Sequence, residues 1–236
     1  MHDFALSQSD KDLIVMRRGR LYAFETLDPS RTALLVVDMQ NAFVKKDVAH
    51  AYVPEAASIV PNINALATAL RTAGGNVVWI KNTFTEESLQ SWSHFHDELW
   101  GPGRKEKRIE AMSAGTLGHQ IYDGLEVHPD DIEVQKTRYS AFIQGSSGLE
   151  AMLRERRIDT LLVTGTATNV CCESTARDAM MLNFRTIMVS DANAAGSDEA
   201  HQATLASFWS IFGDVRSTAE LVDLIGTASA ARDAAE

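Results

Sequence analysis

The sequence predicts an α/β domain whose central sheet is mainly parallel. Mainly apolar segments at 33–37, 76–80 and 160–164 have the length of strands that are buried on both faces. Stretches with helix signals separate these runs, and strand–helix–strand alternation is typical of parallel sheets covered by helices. The 236 residues, 45% of them hydrophobic, are enough to bury the core of one large domain.

The chain divides into an extension, one domain and a tail. Residues 1–32 have mixed charge and no clear period, and we expect this arm to pack on a neighbouring subunit. The domain is predicted over 33–226. The Ala-rich segment 227–236 follows Gly226 and is predicted to fray.

Local signals define the elements of the domain in chain order. A helix is predicted from Pro61 to Gly74, followed by a strand over 76–82. The turn-rich segment 83–118 is expected to be the least regular part, because insertions of this length are usually functional or disordered. Ser147 and Ser217 each precede a glutamate by three residues, which is the capping-box signal of a helix start. Further strands are predicted over 131–136, 160–164 and 185–191.

Cys171 is the leading candidate for a nucleophile. The apolar run 160–164 stops at Gly165, a polar stretch turns the chain, and a helix pattern begins near Val170. Cys171 is therefore expected in the first helical turn, where unpaired N–H groups and the helix dipole favour a thiolate and lower the thiol pKa. The pattern alone also fits a cysteine that only packs in the core, so its role depends on partners elsewhere.

Asp38 and Lys136 are the candidate partners of this cysteine. Asp38 closes the first strand, and the carboxyl ends of strands in open α/β sheets form the ligand-binding crevice. A helix N-cap or a solvated loop carboxylate is the alternative role. Lys136 ends the alternating segment 131–136 and is expected at the same edge, although a solvated surface lysine is the commoner case.

Together these segments resemble those of the isochorismatase-like cysteine hydrolases. The shared features are an aspartate ending the first strand, a lysine before a polar and aromatic stretch at 137–142, and a cysteine after a strand, a glycine and the Thr-Asn pair at 168–169. The resemblance covers most of the chain, from about residue 32 to about residue 225. It implies a three-layer, doubly wound sheet with helices on both faces, and a catalytic triad of Asp38, Lys136 and Cys171.

The chemistry implied is hydrolysis of a C–N bond through a covalent thioester or thiocarbamate, with release of ammonia. Asp38 is expected to take the thiol proton and Lys136 to stabilise the negative charge while the sulfur attacks the carbonyl carbon. The backbone N–H groups of Ala167 and Cys171 are predicted to form the oxyanion hole. The resemblance also implies a cis peptide bond between Thr166 and Ala167.

Segments 138–142 and 168–178 are most similar to the ureidoacrylate amidohydrolase branch of that family, so the predicted substrate is a small ureido or carbamoyl compound. Biuret, triuret, a maleamate-type amide and nicotinamide are alternatives for the same triad. A non-catalytic binding domain and a redox thiol are alternatives of another kind. A nucleotide-binding Rossmann-type domain is excluded, because no glycine follows the first strand at 38–41. Cys172 departs from the relatives, which often have an apolar residue there, and is expected to be a small buried hydrophobe.

Four residues are predicted to contact the substrate. Asn82 and Tyr139 are the candidates for polar recognition, and Trp92 and Phe142 are the candidates for apolar walls. A strand cap for Asn82 and ordinary core positions for the aromatic residues are the alternatives.

No metal and no cofactor are predicted. Only Asp47 and His50 lie shortly after the first strand, where some relatives hold a metal. His94 and His96 alternate in an aromatic segment and are expected to line a pocket or lie on the surface, because a closed site needs about four ligands.

Charge and cysteine content limit the partners. The formal net charge is -10, and the one basic run, at 104–108, is predicted to form a helix face, so nucleic acid is excluded as a partner. No stretch approaches the ~20 apolar residues of a membrane span. The two adjacent cysteines do not suit a disulfide, so a cytoplasmic location is predicted. The resemblance implies a homodimer or homotetramer that takes a small-molecule substrate.

Overall fold

The computed structural model describes residues 2–101 and 103–233, and in this part of the chain six strands form one parallel sheet. The strands are β1 (Thr32–Val37), β2 (Asn76–Asn82), β3 (Ile132–Lys136), β4 (Thr160–Thr166), β5 (Arg185–Ala194) and β6 (Asp214–Arg216). Their order across the sheet is β3-β2-β1-β4-β5-β6. The predicted fold class, with its parallel sheet, is confirmed.

Helices connect the strands and cover the sheet. They are α1 (Gln8–Arg18), α2 (Asn41–Val44), α3 (Val60–Thr72), α4 (Glu86–Ser91), α5 (Arg104–Met112), α6 (Leu149–Glu155), α7 (Glu173–Met181), α8 (Asp198–Ile211) and α9 (Thr218–Asp233). Each helix among the described residues is too short or too polar to span a lipid bilayer.

The helices form a layer on each face of the sheet. Side chains alternate along β1, so that Leu34 and Val36 pack with α3 and α9, whereas Leu35 and Val37 pack with α6, α7 and α8. Every residue of β1 is buried, which is why this strand reads as a continuous apolar run rather than as an alternating one. The arrangement is the three-layer, doubly wound one that the resemblance implied.

One of the two predicted capping boxes forms. Ser217 Oγ accepts a hydrogen bond from the Glu220 N–H at 3.3 Å, and a Glu220 carboxylate oxygen accepts one from the Ser217 N–H at 2.7 Å. The box predicted at Ser147 is wrong. There the hydroxyl accepts from the Leu149 N–H and the helix begins one residue later than the pattern indicated, with Gly148 as N-cap.

The N-terminal extension packs on its own chain, and its contact with a neighbouring subunit stays a prediction. It contains α1, from which Ile14 is buried in the core. The Arg18 guanidinium at the end of this helix donates to a carboxylate oxygen of Asp214 and to the Gly213 carbonyl, both at 3.0 Å. Mixed charges hide this helix in the sequence, because its buried face contributes few apolar residues.

Two other segments are more regular than predicted. The segment 83–118 contains α4, a π-helical turn (His94–Glu98) and α5, all packed around aromatic side chains. Helix α9 continues through Gly226 to Asp233, so the predicted fraying of 227–233 is wrong, because the alanines favour helix strongly enough to carry it past the glycine. Residues 234–236 of the predicted tail lie outside the described residues.

Candidate active site

The carboxyl ends of four adjacent strands bring the predicted residues together. Asp38 follows β1, Asn82 ends β2, Lys136 ends β3, and Cys171 lies in the turn after β4. The strand order changes direction between β1 and β4, and open α/β sheets bind ligands at this switch point. Parallel pairing sets Asn82 directly opposite Lys136 across the β2–β3 ladder.

Asp38 and Lys136 form a fully buried ion pair. Lys136 Nζ lies 2.8 Å from Asp38 Oδ2 and donates a hydrogen bond to the Arg138 carbonyl at 2.9 Å. Burial raises the pKa of Asp38, and the nearby ammonium only partly opposes that effect. Burial by itself lowers the pKa of Lys136, but the negative charge of Asp38, the interaction with Cys171 and the hydrogen bonds to both together outweigh it, and the net shift is upward. Lys136 therefore stays a cation beside a carboxylate that accepts protons more readily than usual.

The Cys171 thiol lies within hydrogen-bond reach of both Asp38 and Lys136. Burial and the negative charge of Asp38 raise the pKa of this thiol well above its usual range, although Lys136 opposes them. The expectation of a thiolate favoured by the helix start is therefore wrong for the free protein. The thiol is 4% exposed, so loss of hydration outweighs the dipole of one short helical turn. At neutral pH the sulfur carries its proton.

The turn that presents Cys171 has an unusual backbone. Gly165 has φ of 113°, and a Cβ there would stand 2.0 Å from the Val37 carbonyl oxygen, so only glycine fits between β4 and β1. The Thr166–Ala167 peptide bond is cis, as the resemblance implied. A π-helical turn (Thr168–Cys172) follows and leads directly into α7.

The Ala167 carbonyl organises the first turn of this helix. It accepts hydrogen bonds from the N–H groups of Val170 at 3.0 Å and of Cys172 at 3.2 Å. The Cys171 N–H between them does not share this acceptor. Both N–H groups predicted for the oxyanion hole thus lie in the turn that carries the sulfur.

Cys172 lies in the core behind the site. It is fully buried, and its thiol donates to the Thr164 carbonyl with a sulfur–oxygen distance of 3.7 Å. Because adjacent helical residues point about 100° apart, the two sulfurs face different surroundings. Cys172 packs between the helix and the sheet, as expected for a small hydrophobe.

A cavity of about 170 Å³ ends at Cys171. This volume is below the ~300 Å³ at which pockets for drug-sized ligands begin, so the cavity suits a small molecule. Its apolar lining is Phe43, Ala51, Val53 and Val170. Its polar and aromatic lining is His50, Asn82, Trp100, Arg108 and Tyr139.

Of the four predicted substrate contacts, Asn82 and Tyr139 line this cavity. The side-chain amide of Gln40 makes two hydrogen bonds to the backbone of Asn82. Its Oε1 accepts from the Asn82 N–H at 2.8 Å, and its Nε2 donates to the Asn82 carbonyl at 3.1 Å. Asn82 Oδ1 is buried and has no hydrogen-bond partner among the described residues, which leaves an acceptor directed at whatever fills the cavity. Burial raises the pKa of Tyr139, so its hydroxyl is a neutral donor.

The two predicted walls, Trp92 and Phe142, do not line this cavity. Trp92 stacks on Phe95 with ring centroids 3.8 Å apart and contacts the edge of Tyr139, so it supports the wall from behind. Phe142 packs against Phe184 in the core layer formed by α6, α7 and α8. An aromatic residue that is close in sequence to the site residues can therefore lie behind the cavity wall or in the hydrophobic core.

Three lining residues that the sequence did not predict to contact substrate are Arg108, Trp100 and His50. Arg108 comes from α5, where it and Met112, four residues later, are the buried positions. That spacing was the available signal, but the basic run 104–108 reads as a solvated face. Trp100 and His50 reach the cavity from loops, where sequence periodicity carries no information about direction.

The candidate metal ligands lie apart from one another. His50 lines the cavity, His96 is buried against Phe84 and Trp92, and His94 is exposed beside Glu98. Within the described residues, no group of three or more histidine, cysteine, aspartate or glutamate side chains is placed to hold a metal ion.

Comparisons with known proteins agree with this fold. Residues 32–220 match the sequence profile of the Isochorismatase domain. A cysteine hydrolase from Pseudomonas syringae pv. phaseolicola 1448A is 30% identical, with 87% of this chain and 97% of that chain covered and a TM-score of 0.74. An isochorismatase family protein from Desulfovibrio vulgaris is 29% identical over 83% of this chain and 98% of that chain, with a TM-score of 0.70.

A third solved structure is that of N-carbamoylsarcosine amidase from Thermoplasma acidophilum. It is 27% identical, with 80% of this chain and 96% of that chain covered and a TM-score of 0.63. The fold and these similarities define a hydrolase of the isochorismatase-like cysteine hydrolase class. The profile match covers most of the chain, and the protein belongs to the isochorismatase family.

Proposed function

We propose that this protein is an amidohydrolase that cleaves a C–N bond of a small ureido or carbamoyl compound, with Cys171 as nucleophile. The observation that carries the proposal is the meeting of three buried side chains, those of Asp38, Lys136 and Cys171, at the end of a cavity of small-molecule size. A buried charged pair beside a thiol is costly unless it has a task, which favours catalysis over packing.

The first half of the reaction transfers one proton and forms one bond. Asp38 takes the proton from the Cys171 thiol as the sulfur bonds to the carbonyl carbon, and the carbonyl oxygen becomes an oxyanion. The raised pKa of the Asp38 carboxyl supports this transfer, because the base is stronger than an ordinary carboxylate. The raised pKa of the Cys171 thiol opposes loss of the proton, so the proton leaves as the carbon–sulfur bond forms. Lys136 keeps its charge and stabilises the negative charge that develops beside it. The N–H groups of Ala167 and Cys171 are the proposed donors to the oxyanion.

The second half releases the products. The tetrahedral adduct collapses, the C–N bond breaks, and the leaving nitrogen takes the proton from Asp38, so that ammonia or an amine departs. Water then attacks the thioester or thiocarbamate on Cys171, with Asp38 accepting a proton from the water. Cleavage of the carbon–sulfur bond returns the proton to the thiol, and the free enzyme is restored.

Two observations support a ureido or carbamoyl substrate. The unpartnered Asn82 Oδ1 is an acceptor, and a ureido group offers several N–H donors on one planar unit. The similar protein from Thermoplasma acidophilum is named as acting on an N-carbamoyl compound. The ureidoacrylate branch is the finer form of this proposal. A homodimer or homotetramer in the cytoplasm remains a prediction from the sequence.

The test is an ammonia-release screen with ureido acids, biuret, triuret, maleamate and nicotinamide. We expect turnover of at least one ureido acid, and intact-protein mass spectrometry should detect its acyl or carbamoyl fragment on Cys171. The Cys171→Ala protein should fold and give no ammonia, and Cys172→Ala is the matched control. No turnover of any compound, together with a peroxide-induced mass shift on Cys171, would instead support the redox thiol.

A further inference from the structure

Arg108 is a buried cation without an anionic partner. Its side chain is 6% exposed, and its Nη1 has no hydrogen-bond partner among the described residues. Instead its guanidinium carbon lies 4.0 Å from the ring centre of Trp100, 4.4 Å from that of Phe95 and 5.4 Å from that of Phe84. Aromatic faces attract a guanidinium, but they do not accept hydrogen bonds as a carboxylate does.

This absence of a partner is costly in the free protein. Burial lowers the pKa of Arg108, yet a guanidinium keeps its charge at any ordinary pH. A buried charge is normally paired, because its lost hydration is otherwise not replaced. Arg108 lines the same cavity as Cys171, so an anion bound there would supply the missing partner.

Two further unpartnered polar atoms lie on the same cavity wall. Trp100 Nε1, which is a donor only, and His50 Nδ1 are buried and have no hydrogen-bond partner in the part of the chain described. Burial and the charge of Arg108 lower the pKa of His50 to about 4, so its ring is neutral at neutral pH and one of its nitrogens donates. This cavity wall thus carries a group of hydrogen-bond donors, namely Arg108, Trp100 and His50. Asn82, which also lines the cavity, offers a hydrogen-bond acceptor instead.

The outer approach to this group is also cationic. A recess of about 250 Å³ shares His50, Trp100 and Arg108 with the cavity and adds Arg104 and Lys107. Among the residues that the structure describes, none that lines this recess is acidic, although the chain carries a net charge of -10. A cationic recess in an acidic protein raises the local concentration of anions and opposes the approach of cations.

We propose that the substrate of this site is a carboxylate, bound by Arg108 with help from Trp100 and His50, so that its ureido or carbamoyl group reaches Cys171. The inference rests on the proposed function, which assigns the ureido or carbamoyl group that is cleaved. It adds that the other end of the substrate carries a carboxylate. The planar guanidinium matches a carboxylate with two parallel hydrogen bonds. Neutral biuret, triuret and nicotinamide leave Arg108 unpaired and are therefore expected to be poor substrates.

The test compares an acid with a neutral compound of nearly the same shape. The pair is a short N-carbamoyl amino acid and the N-carbamoyl amino alcohol in which the carboxylate is replaced by a hydroxymethyl group. Calorimetry measures the binding of both to the Cys171→Ala protein, and ammonia release measures kcat/KM for both with the wild type. We expect the acid to bind at least ~100-fold more tightly, because a site built for a charged group rejects the analogue that lacks it.

Arg108→Gln should remove this preference by weakening the acid and leaving the alcohol unchanged. Arg108→Lys keeps the charge without the planar fork and should retain part of the preference. Lys105→Gln is the matched control: it removes one positive charge from the same helix, where Lys105 pairs with Asp97 outside the cavity, and it should leave both affinities unchanged. If Arg108→Gln does not fold, as judged by circular dichroism, the lysine variant and the wild-type preference decide the question.

The outcomes separate this inference from the proposed function. Equal binding of acid and alcohol, no measurable binding of either, or a preference that survives in both Arg108 variants would overturn the inference. A clear preference for the acid without any turnover would support the inference and contradict the proposed hydrolase. Turnover of both compounds at equal kcat/KM would support the proposed hydrolase and contradict the inference.

Discussion

The buried pair of Asp38 and Lys136 makes a strong prediction about stability. Replacing Lys136 with methionine keeps most of the side-chain volume and removes the only cation within 2.8 Å of Asp38 in the described part of the chain. At that separation, with an effective dielectric constant of about 20, the gross attraction between unit charges is about 6 kcal/mol. Part of that attraction offsets the cost of burying both charges. We expect Lys136→Met to lower the free energy of unfolding by about 3–5 kcal/mol.

A double-mutant cycle separates the lost attraction from the lost packing. Asp38→Asn removes the uncompensated charge, so the double variant should recover part of the loss, with a coupling of about 2 kcal/mol or more. Urea unfolding at neutral pH measures all four proteins. The pH dependence gives a second test. Without Lys136 the pKa of Asp38 rises further, so Asp38 becomes protonated and loses its buried charge as the pH falls. The loss of stability in the Lys136→Met protein should therefore shrink between about pH 7 and about pH 5. Additive losses within about 0.5 kcal/mol, or a deficit that grows at low pH, would refute the reasoning.

Four other outcomes follow from the site. Cys171→Ala should abolish turnover while Cys172→Ala keeps most of it, and activity assays showing the reverse would identify the other sulfur as nucleophile. Because burial raises its pKa, native Cys171 should react with iodoacetamide at about pH 7 more slowly than the thiols of the urea-unfolded chain, and faster native labelling, read by peptide mass spectrometry, would contradict this. Gly165→Ala should cost more than about 4 kcal/mol in urea unfolding, since the new Cβ meets the Val37 carbonyl; a loss below about 1 kcal/mol would show that the turn relaxes freely. Activity should survive dialysis against a chelator, and a loss restored by zinc would overturn the metal-free mechanism.

The sequence predicts the central sheet well because burial imposes a simple pattern. Strand β2 begins and ends at the predicted residues, and β1 and β4 differ from prediction only at their ends. A strand covered on both faces must be apolar throughout, so its signal is local. The structure of the segment 83–118 was harder to predict, because α5 carries mostly charged residues and buries only two positions, one of them an arginine.

The residues of the candidate site likewise fall into those that the local sequence pattern predicts and those that it does not. Asp38, Lys136 and Cys171 follow strands, and strand ends share one edge of a parallel sheet, so their meeting could be anticipated. The direction of Trp92 or Phe142 depends on how a loop folds over that edge, which periodicity does not encode. Arg108 was missed because its exposure is decided by three aromatic rings that come from other segments.

The protonated state of Cys171 has a practical consequence for handling the protein. Peroxide and oxygen attack sulfur as the anion and spare the neutral form, and oxidation also requires access to solvent. A cysteine that is 4% exposed and protonated at neutral pH is shielded from oxidation by air. Preparations should therefore keep their full count of free sulfhydryl groups during storage without added dithiothreitol.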